Sequence, residues 1–218
     1  MIDPGDGGEY RPVIDPADFS STIDNQYLPY AVGSHWVYET EDASEVETIT
    51  IDVLDKRRTV MGVETLVVHD VVRLGGELIE DTFDWYAQDG DGNVWYFGED
   101  TTAYEDGKAS KEGSWEAGVD GAMPGIVMPA DPQVSETGYR QEYLAGEAED
   151  LGQVIATDGE VTTPFGDFTD IVVTRDWTPL DPDVVEEKTY ARDIGFVREV
   201  KAAGETEAVS LVEYTAPG

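Results

Sequence analysis

From about Gly33 onward, short runs rich in Val, Ile, Thr, Tyr and Trp alternate with clusters of Gly, Asp and Asn. This is the pattern of strands joined by tight turns. It predicts strands at His35 to Thr40, Glu45 to Leu54, Val63 to Leu74, Glu77 to Gln88, Asn93 to Tyr104 and Gly138 to Ala145. Further strands are predicted at Gly152 to Ala156, Phe168 to Asp176, Val184 to Ala191, Gly195 to Ala202 and Glu207 to Tyr214. No segment sustains a helical period, so at most one or two short helices are expected.

Two hairpins can be read in register. Gly75-Gly76 suits a two-residue turn with positive φ, which sets Arg73 against Leu78, Val72 against Ile79, Val68 against Phe83 and Leu66 against Trp85. The face carrying Leu66, Val68, Val72, Ile79, Phe83 and Trp85 is then buried. Asp89-Gly90-Asp91-Gly92 closes a second hairpin with Trp85 against Tyr96 and Tyr86 against Trp95. Aromatic residues fall on both faces, and a sheet apolar on both faces is covered on both or curls around something. The fold class is therefore all-β: a single antiparallel meander forming a strongly curved or closed β-barrel. Residues 1–22 read as an acidic Gly/Pro-rich linker or N-terminal arm, and residues 23–218 as one domain.

Between Gly113 and Thr137 the periodicity stops. Long irregular loops are often lids or binding loops, and a Met-rich plug over one barrel end is the alternative. This segment and its neighbourhood supply the candidate ligand-binding residues Trp115, Met123, Ile126, Met128 and Trp177. Trp115 on the loop and Trp177 beside Thr178-Pro179 are the tryptophans a sugar face would stack on, whereas Trp36, Trp85 and Trp95 lie in strands, where aromatics pack the core.

Composition changes the picture most through charge. The chain has 48 Asp and Glu against 13 Lys and Arg, a net charge of -35, spread along its whole length. With 40% hydrophobic residues, 5 Trp, 11 Tyr and 6 Phe, it is too apolar for a disordered acidic chain. Such a surface repels phosphate backbones and anionic headgroups, so nucleic acid is excluded as a partner and solvent cations are expected instead. Self-repulsion at this density is relieved by molar salt, which points to halophilic adaptation. The competing reading is a calcium-loaded protein. Cysteine is absent, which removes disulfides and thiolate chemistry. No run reaches the roughly 20 apolar residues of a membrane span, so no membrane insertion is expected. The polar lead Ile2-Asp3-Pro4-Gly5-Asp6-Gly7-Gly8 resembles a linker exposed after a leader or lipid anchor is removed.

The stretches Asp24-Asn25-Gln26-Tyr27-Leu28-Pro29 and Gly33-Ser34-His35-Trp36-Val37-Tyr38-Glu39 resemble those of an uncharacterised family of bacterial secreted proteins and lipoproteins. So do Asp84-Trp85-Tyr86-Ala87-Gln88-Asp89 with Gly92-Asn93-Val94-Trp95-Tyr96-Phe97-Gly98-Glu99, and Tyr190-Ala191-Arg192-Asp193-Ile194-Gly195-Phe196-Val197. The resemblance implies an extracytoplasmic location, secreted or surface-anchored, and an antiparallel β fold. It brings no established reaction, cofactor or catalytic residue. Arg192-Asp193 stands where such proteins often show Pro-Gly, which leaves only the turn type open.

Candidate chemistry is sparse. There are two histidines, His35 and His69, and no Gly-x-Ser-x-Gly elbow, so a Ser-His-Asp hydrolase is not supported. In the hairpin register above, His69 lies across from Thr82 and diagonal to Asp84 and reads as a hydrogen-bonded structural residue. The same register opposes Asp70 to Asp81, and like charges directly opposed destabilise a sheet. A bulge shifts the register, the pair lies at an exposed edge, or the two share a proton or cation. Calcium, the one candidate cofactor, has two candidate sites. Asp89 and Asp91 open a loop with oxygen ligands at alternate positions but without the Glu of an EF-hand. Glu142, Glu147, Glu149 and Asp150 form a denser cluster beside a strand end. Three functions follow: a binding or structural module for a small apolar or sugar-like ligand, a carboxylate-based hydrolase or lyase, and a divalent-cation binder.

Overall fold

The computed structural model describes residues 10–41, 44–202 and 208–218. The strands are β1 (Phe19–Ser20), β2 (His35–Thr40), β3 (Glu47–Val60), β4 (Val63–Leu74), β5 (Glu77–Asp89), β6 (Val94–Glu105), β7 (Lys108–Ser110), β8 (Trp115–Glu116) and β9 (Met123–Met128). They continue with β10 (Tyr139–Arg140), β11 (Glu142–Tyr143), β12 (Leu151–Ala156), β13 (Val161–Thr162), β14 (Asp167–Phe168), β15 (Ile171–Thr178), β16 (Asp181–Ala191), β17 (Gly195–Lys201) and β18 (Ala208–Thr215). Among the described residues the one helical element is a 3-10 turn, Pro16–Asp18. None of their helices is long and apolar enough to cross a membrane.

All strands but β13 and β14 belong to one 16-stranded antiparallel sheet. Strand β18 pairs with β2, so the last strand of the meander returns to its first. The ring runs from β2 through β3, β4, β5, β6 and β9, and from β12 through β15, β16, β17 and β18. One seam, between β9 and β12, is left without direct pairing. Residues 139–143 lie along it: Tyr139 and Arg140 pair with β12, and Glu142 and Tyr143 with β9. Gly125 makes that approach feasible, since a Cβ there would stand 2.4 Å from the Gln141 carbonyl carbon. The sequence reading of a curved or closed barrel holds, as a barrel nearly closed with one seam.

The barrel core is built from inward residues of many strands. Trp36, Tyr38, Leu66, Val68, Val94, Met128, Val172, Val197 and Leu211 are all almost fully buried. Burying each large side chain contributes about 1.5–3 kcal/mol. The polar tips are satisfied across the barrel: Trp36 Nε1 donates to Ile194 O at 2.9 Å and Tyr38 Oη to Phe196 O at 3.0 Å. The segment before β2 closes one end. Ile23, Tyr27 and Leu28 are buried there. Asn25 Nδ2 ties the segment to Gly92 O and Pro129 O, while Gln26 O accepts from Asp193 N.

A second, smaller cluster lies on the outer face of β4, β5 and β6, around Val67, Trp85, Phe97 and Trp115. It is covered by Ile14 and Phe19 of the N-terminal arm and by β8 with Ala117 and Ala122. Gly98, at φ +127°, allows β8 to lie so close that a Cβ would meet Trp115 O at 2.3 Å. Aromatic residues on both faces are thus explained by two layers on one curved sheet.

Both hairpin registers differ from the sequence reading by one residue, the first through a bulge and the second because its loop is one residue longer, with Gln88 facing Val94. A bulge between Val72 and Arg73 moves the rest of the first hairpin by one residue: Arg73 still faces Leu78, but Val68 faces Asp84 and Leu66 faces Tyr86. A one-residue slip exchanges the faces of a strand. Phe83 and Trp85 therefore pack outside, and Asp84 and Tyr86 inside. In the second hairpin Tyr86 faces Tyr96 and Ala87 faces Trp95, with a further shift between Asp84 and Tyr86. Residues 113–137 are also corrected: they hold β8 and β9, and β9 is a strand of the barrel wall beside β6, not a plug.

Candidate functional site

The inner face changes character with distance from the plugged end. Along β4 it reads Leu66, Val68, Asp70; along β15, Val172, Thr174, Asp176; along β16, Tyr190, Lys188, Glu186; along β5, Tyr86, Asp84, Thr82, Glu80. Each strand starts apolar or aromatic near the plug and becomes charged at the second or third inward position. The result is a cavity of about 310 Å³ inside the barrel. Leu28 and Tyr30 form its floor, Ile49, Ile51, Val127 and Phe196 contribute apolar wall, and Tyr86, Tyr96 and Tyr190 contribute rings. Asp70, Glu142, Asp150, Asp176 and Glu199 also line it, with Lys188.

Lys188 serves part of this charge. Its Nζ lies 3.4 Å from Asp176 Oδ2, 3.4 Å from Glu186 Oε2 and 3.8 Å from Glu199 Oε2. Burial lowers the Lys188 pKa, but Asp176, Glu199 and Glu186 more than reverse this, and the ammonium is held well above its ordinary value. The remaining acids have no such partner. Asp84 accepts a 2.7 Å bond from Tyr96 Oη, and Glu99 faces Asp84 across the β5–β6 pair. Asp70 Oδ1 and Asp176 Oδ1 are enclosed with no hydrogen-bond partner among the described residues.

Desolvation dominates the titration of these groups. Burial, with the charges of Glu80, Glu99 and Glu47, raises Asp70 from 3.8 to about 7. Burial, with Asp150 and Glu99, raises Glu142 from 4.5 to about 8, Trp115 and Lys188 opposing. Asp84 is raised well above the carboxylate range by burial and by Asp70 and Glu99, against the Tyr96 hydroxyl. Glu99, Asp150 and Glu199 move the same way, burial first in each. A ring of carboxyl groups with too few cations takes up protons instead. The Tyr86 and Tyr96 rings stack at 4.9 Å, and Tyr30 leans on Tyr86 at 5.3 Å.

Of the candidate metal residues, Glu142 and Asp150 line this cavity, whereas Glu147 lines a separate outer one. Glu149 caps its own turn, accepting from Gly146 N at 2.7 Å. The four therefore do not converge. Asp89 is engaged by its hairpin: Oδ1 accepts from Asp91 N and Asn93 N, and Oδ2 from Asn93 Nδ2 and Trp95 Nε1. Asp91 stands at the tip of that turn. Among the described residues no three acidic or histidine side chains are grouped as a metal ion requires.

The candidate ligand residues lie around the cavity without lining it. Ile126 and Met128 are core, and Met123 pairs with Tyr143 at the seam. Trp177 pairs with Leu151 and packs on Gly138. Trp115 is buried in the outer cluster and lines an outer cavity of about 330 Å³. Their neighbour Val127 is the residue of this segment that reaches the central cavity. His69 faces Phe83, not Thr82, stacking on it at 4.3 Å, and its Nε2 lies 2.7 Å from Asp81 Oδ1. His35 Nδ1 lies 2.8 Å from Asp52. Both histidines are taken by carboxylates on the outer face. Asp70 and Asp81 are parted by the bulge and lie on opposite faces.

Sequence reasoning missed Asp176, Lys188 and Glu199 as residues lining the cavity, with Asp84 buried nearby and Glu99 lining the outer cavity. The signal was an i, i+2 series ending in charge, as in Thr82-x-Asp84-x-Tyr86 and Glu186-x-Lys188-x-Tyr190.

No family model matches the chain, and no curated protein does. Among solved structures, the 2.70 Å crystal structure of a "putative lipoprotein" from Parabacteroides distasonis is similar, with a TM-score of 0.44 and 13% identity over 88% of this chain and 99% of that one.

Proposed function

We propose that this chain is an extracytoplasmic binding domain that holds a small ligand inside its barrel. The observation that carries the reading is the cavity of about 310 Å³ inside the barrel, plugged at one end and lined by apolar, aromatic and charged side chains together. Cavities of this size and mixed lining suit small-molecule sites. The location rests on the resemblance of the motifs around Trp36, Trp85 and Tyr190 to those of secreted bacterial proteins.

Binding is better supported than carboxylate catalysis. An acid/base pair needs two carboxyl groups pushed apart in pKa by different surroundings. Here Asp70, Asp84, Glu99, Glu142, Asp150 and Glu199 are all pushed upward, by burial first in every case. That is the behaviour of a desolvated chamber.

Ligand-observed NMR of a small-molecule library tests the reading, with an Ile51→Trp variant that fills the cavity and a melting curve to show that it folds. Hits lost in the filled variant are expected. Hits that persist there, or no hits at all, refute an internal site.

A further inference from the structure

The chemistry of the cavity wall says more than that something small fits. We infer that the ligand is a small organic amine carrying ammonium groups, a diamine foremost, bound with its apolar body against the tyrosines and its charged ends at Asp70 and at Glu142 with Asp150. This deepens the binding reading and rests on it.

Three observations support the inference. Charge in the cavity is unbalanced, because Lys188 is its one lining cation and is occupied by Asp176, Glu186 and Glu199. Donors are also missing: Asp70 Oδ1 is enclosed without a hydrogen-bond partner, and so is Oδ1 of Asp176, a residue only 6% exposed. A buried acceptor left unmade is costly, and an ammonium with three donors is the group that meets it. The third observation is placement. Asp70 stands on β4 and Glu142 on β11, and both line the same cavity as the stacked Tyr86 and Tyr96 of β5 and β6, strands that lie between β4 and β11 in the sheet order. Ring faces attract alkylammonium groups, and Ile49, Ile51 and Val127 offer dispersion contact to a hydrocarbon chain. A bare metal ion would leave that apolar wall unused. A neutral polyol would leave the carboxyl groups uncompensated.

Protons provide a signature. The titratable groups lining the site are Tyr30, Asp70, Tyr86, Tyr96, Glu142, Asp150, Asp176, Lys188, Tyr190 and Glu199, and Glu47, Glu80, Asp84, Glu99 and Glu186 act on them through their charge. Of these, Asp70 and Glu142 titrate at about 7 and about 8. An ammonium favours their ionised forms, so binding expels protons. Affinity then rises with pH, by up to about tenfold per pH unit for each proton released.

The test is isothermal calorimetry at fixed ionic strength with 1,4-diaminobutane, butylamine, 1,4-butanediol and calcium chloride. Each titration is run in two buffers of different ionisation enthalpy. Expected are binding in the order diamine, monoamine, diol, proton release with the diamine, and tighter binding at pH 8 than at pH 6. The double variant Asp70→Asn, Glu142→Gln should weaken the diamine at least tenfold. Should it not fold, proton release by the parent protein still decides. Diol binding as tight as the diamine, calcium matching it, or diamine binding without proton release overturns the amine assignment while leaving an internal site standing. Silence from all four probes overturns the amine assignment alone, because the library screen on the cavity-filled variant judges the site separately.

Discussion

Replacing Glu142 by Gln removes one buried carboxyl group and keeps its shape, so it isolates what burial of that acid costs. The folded protein holds the Glu142 carboxyl at about 8 against an ordinary 4.5. Between these values the native state keeps a proton that the unfolded chain has lost. Stability therefore falls as pH climbs through that window, and the contribution is intact only below it. At about 1.4 kcal/mol per pKa unit the full loss is about 5 kcal/mol, of which roughly 3 kcal/mol falls between pH 5 and pH 8. An amide at this position does not titrate. The Glu142→Gln variant should lose that much less stability across the same range, while the other raised acids, Asp70 among them, still give it a residual slope. The assay is urea unfolding of both proteins at pH 5, 6, 7 and 8 in constant salt, with slopes checked for equal m-values. Parallel stability curves for parent and variant, within about 0.5 kcal/mol, would show that Glu142 is not desolvated in the folded protein.

Two further outcomes follow. With a net charge of -35, thermal stability should climb steeply from dilute buffer to molar potassium chloride, as the screening length drops from about 30 Å to about 3 Å, and a melting temperature constant across that range removes the halophilic reading. Gly125→Ala should destabilise the seam by about 1–3 kcal/mol or more, because its Cβ meets backbone at Gln141 and Arg140, whereas Gly166→Ala, with nothing within 4 Å, serves as control; equal unfolding midpoints would show that residues 139–143 do not close the barrel.

The meander was legible because period-two runs and turn residues are local signals. Its strands at His35, Val63, Glu77 and Gly195 begin where the pattern put them. Closure was legible in outline, from aromatic residues on both faces of β5 and β6. The site was less so, since it depends on which side of each strand faces inward. A single bulge at Val72 decides that for Asp84, Tyr86, Phe83 and Trp85 together, and no turn residue marks it. Sequence spacing joined Glu142, Glu147, Glu149 and Asp150, but the tight turn at Leu144 to Ala148 sends them to different surroundings. Conversely, Asp70, Glu142, Asp176 and Glu199 are far apart in the chain and meet because four strands each place a charge at the same height in the barrel. Val127 shows the finest grain: its neighbours Ile126 and Met128 point into the core, and it alone of the three reaches the cavity.

The same acidic composition thus does two physically different things. Exposed carboxylates such as Asp55, Glu64 and Glu77 stand in water, where their mutual repulsion is weak and salt abolishes most of it. The interior ones are desolvated, so salt does less for them and a proton or a bound cation is what relieves them. Lys188 shows the chain already using a cation for that purpose, on Asp176, Glu186 and Glu199. It leaves Asp70, Asp84, Glu99, Glu142 and Asp150 to hold protons instead. Were the interior acids only an extension of a salt-adapted surface, neutral residues there would fold more stably and nothing would be gained by burying charge. The convergence of Asp70, Glu142 and Asp150 on one chamber beside stacked tyrosines is what the proposed binding site requires and what surface adaptation does not.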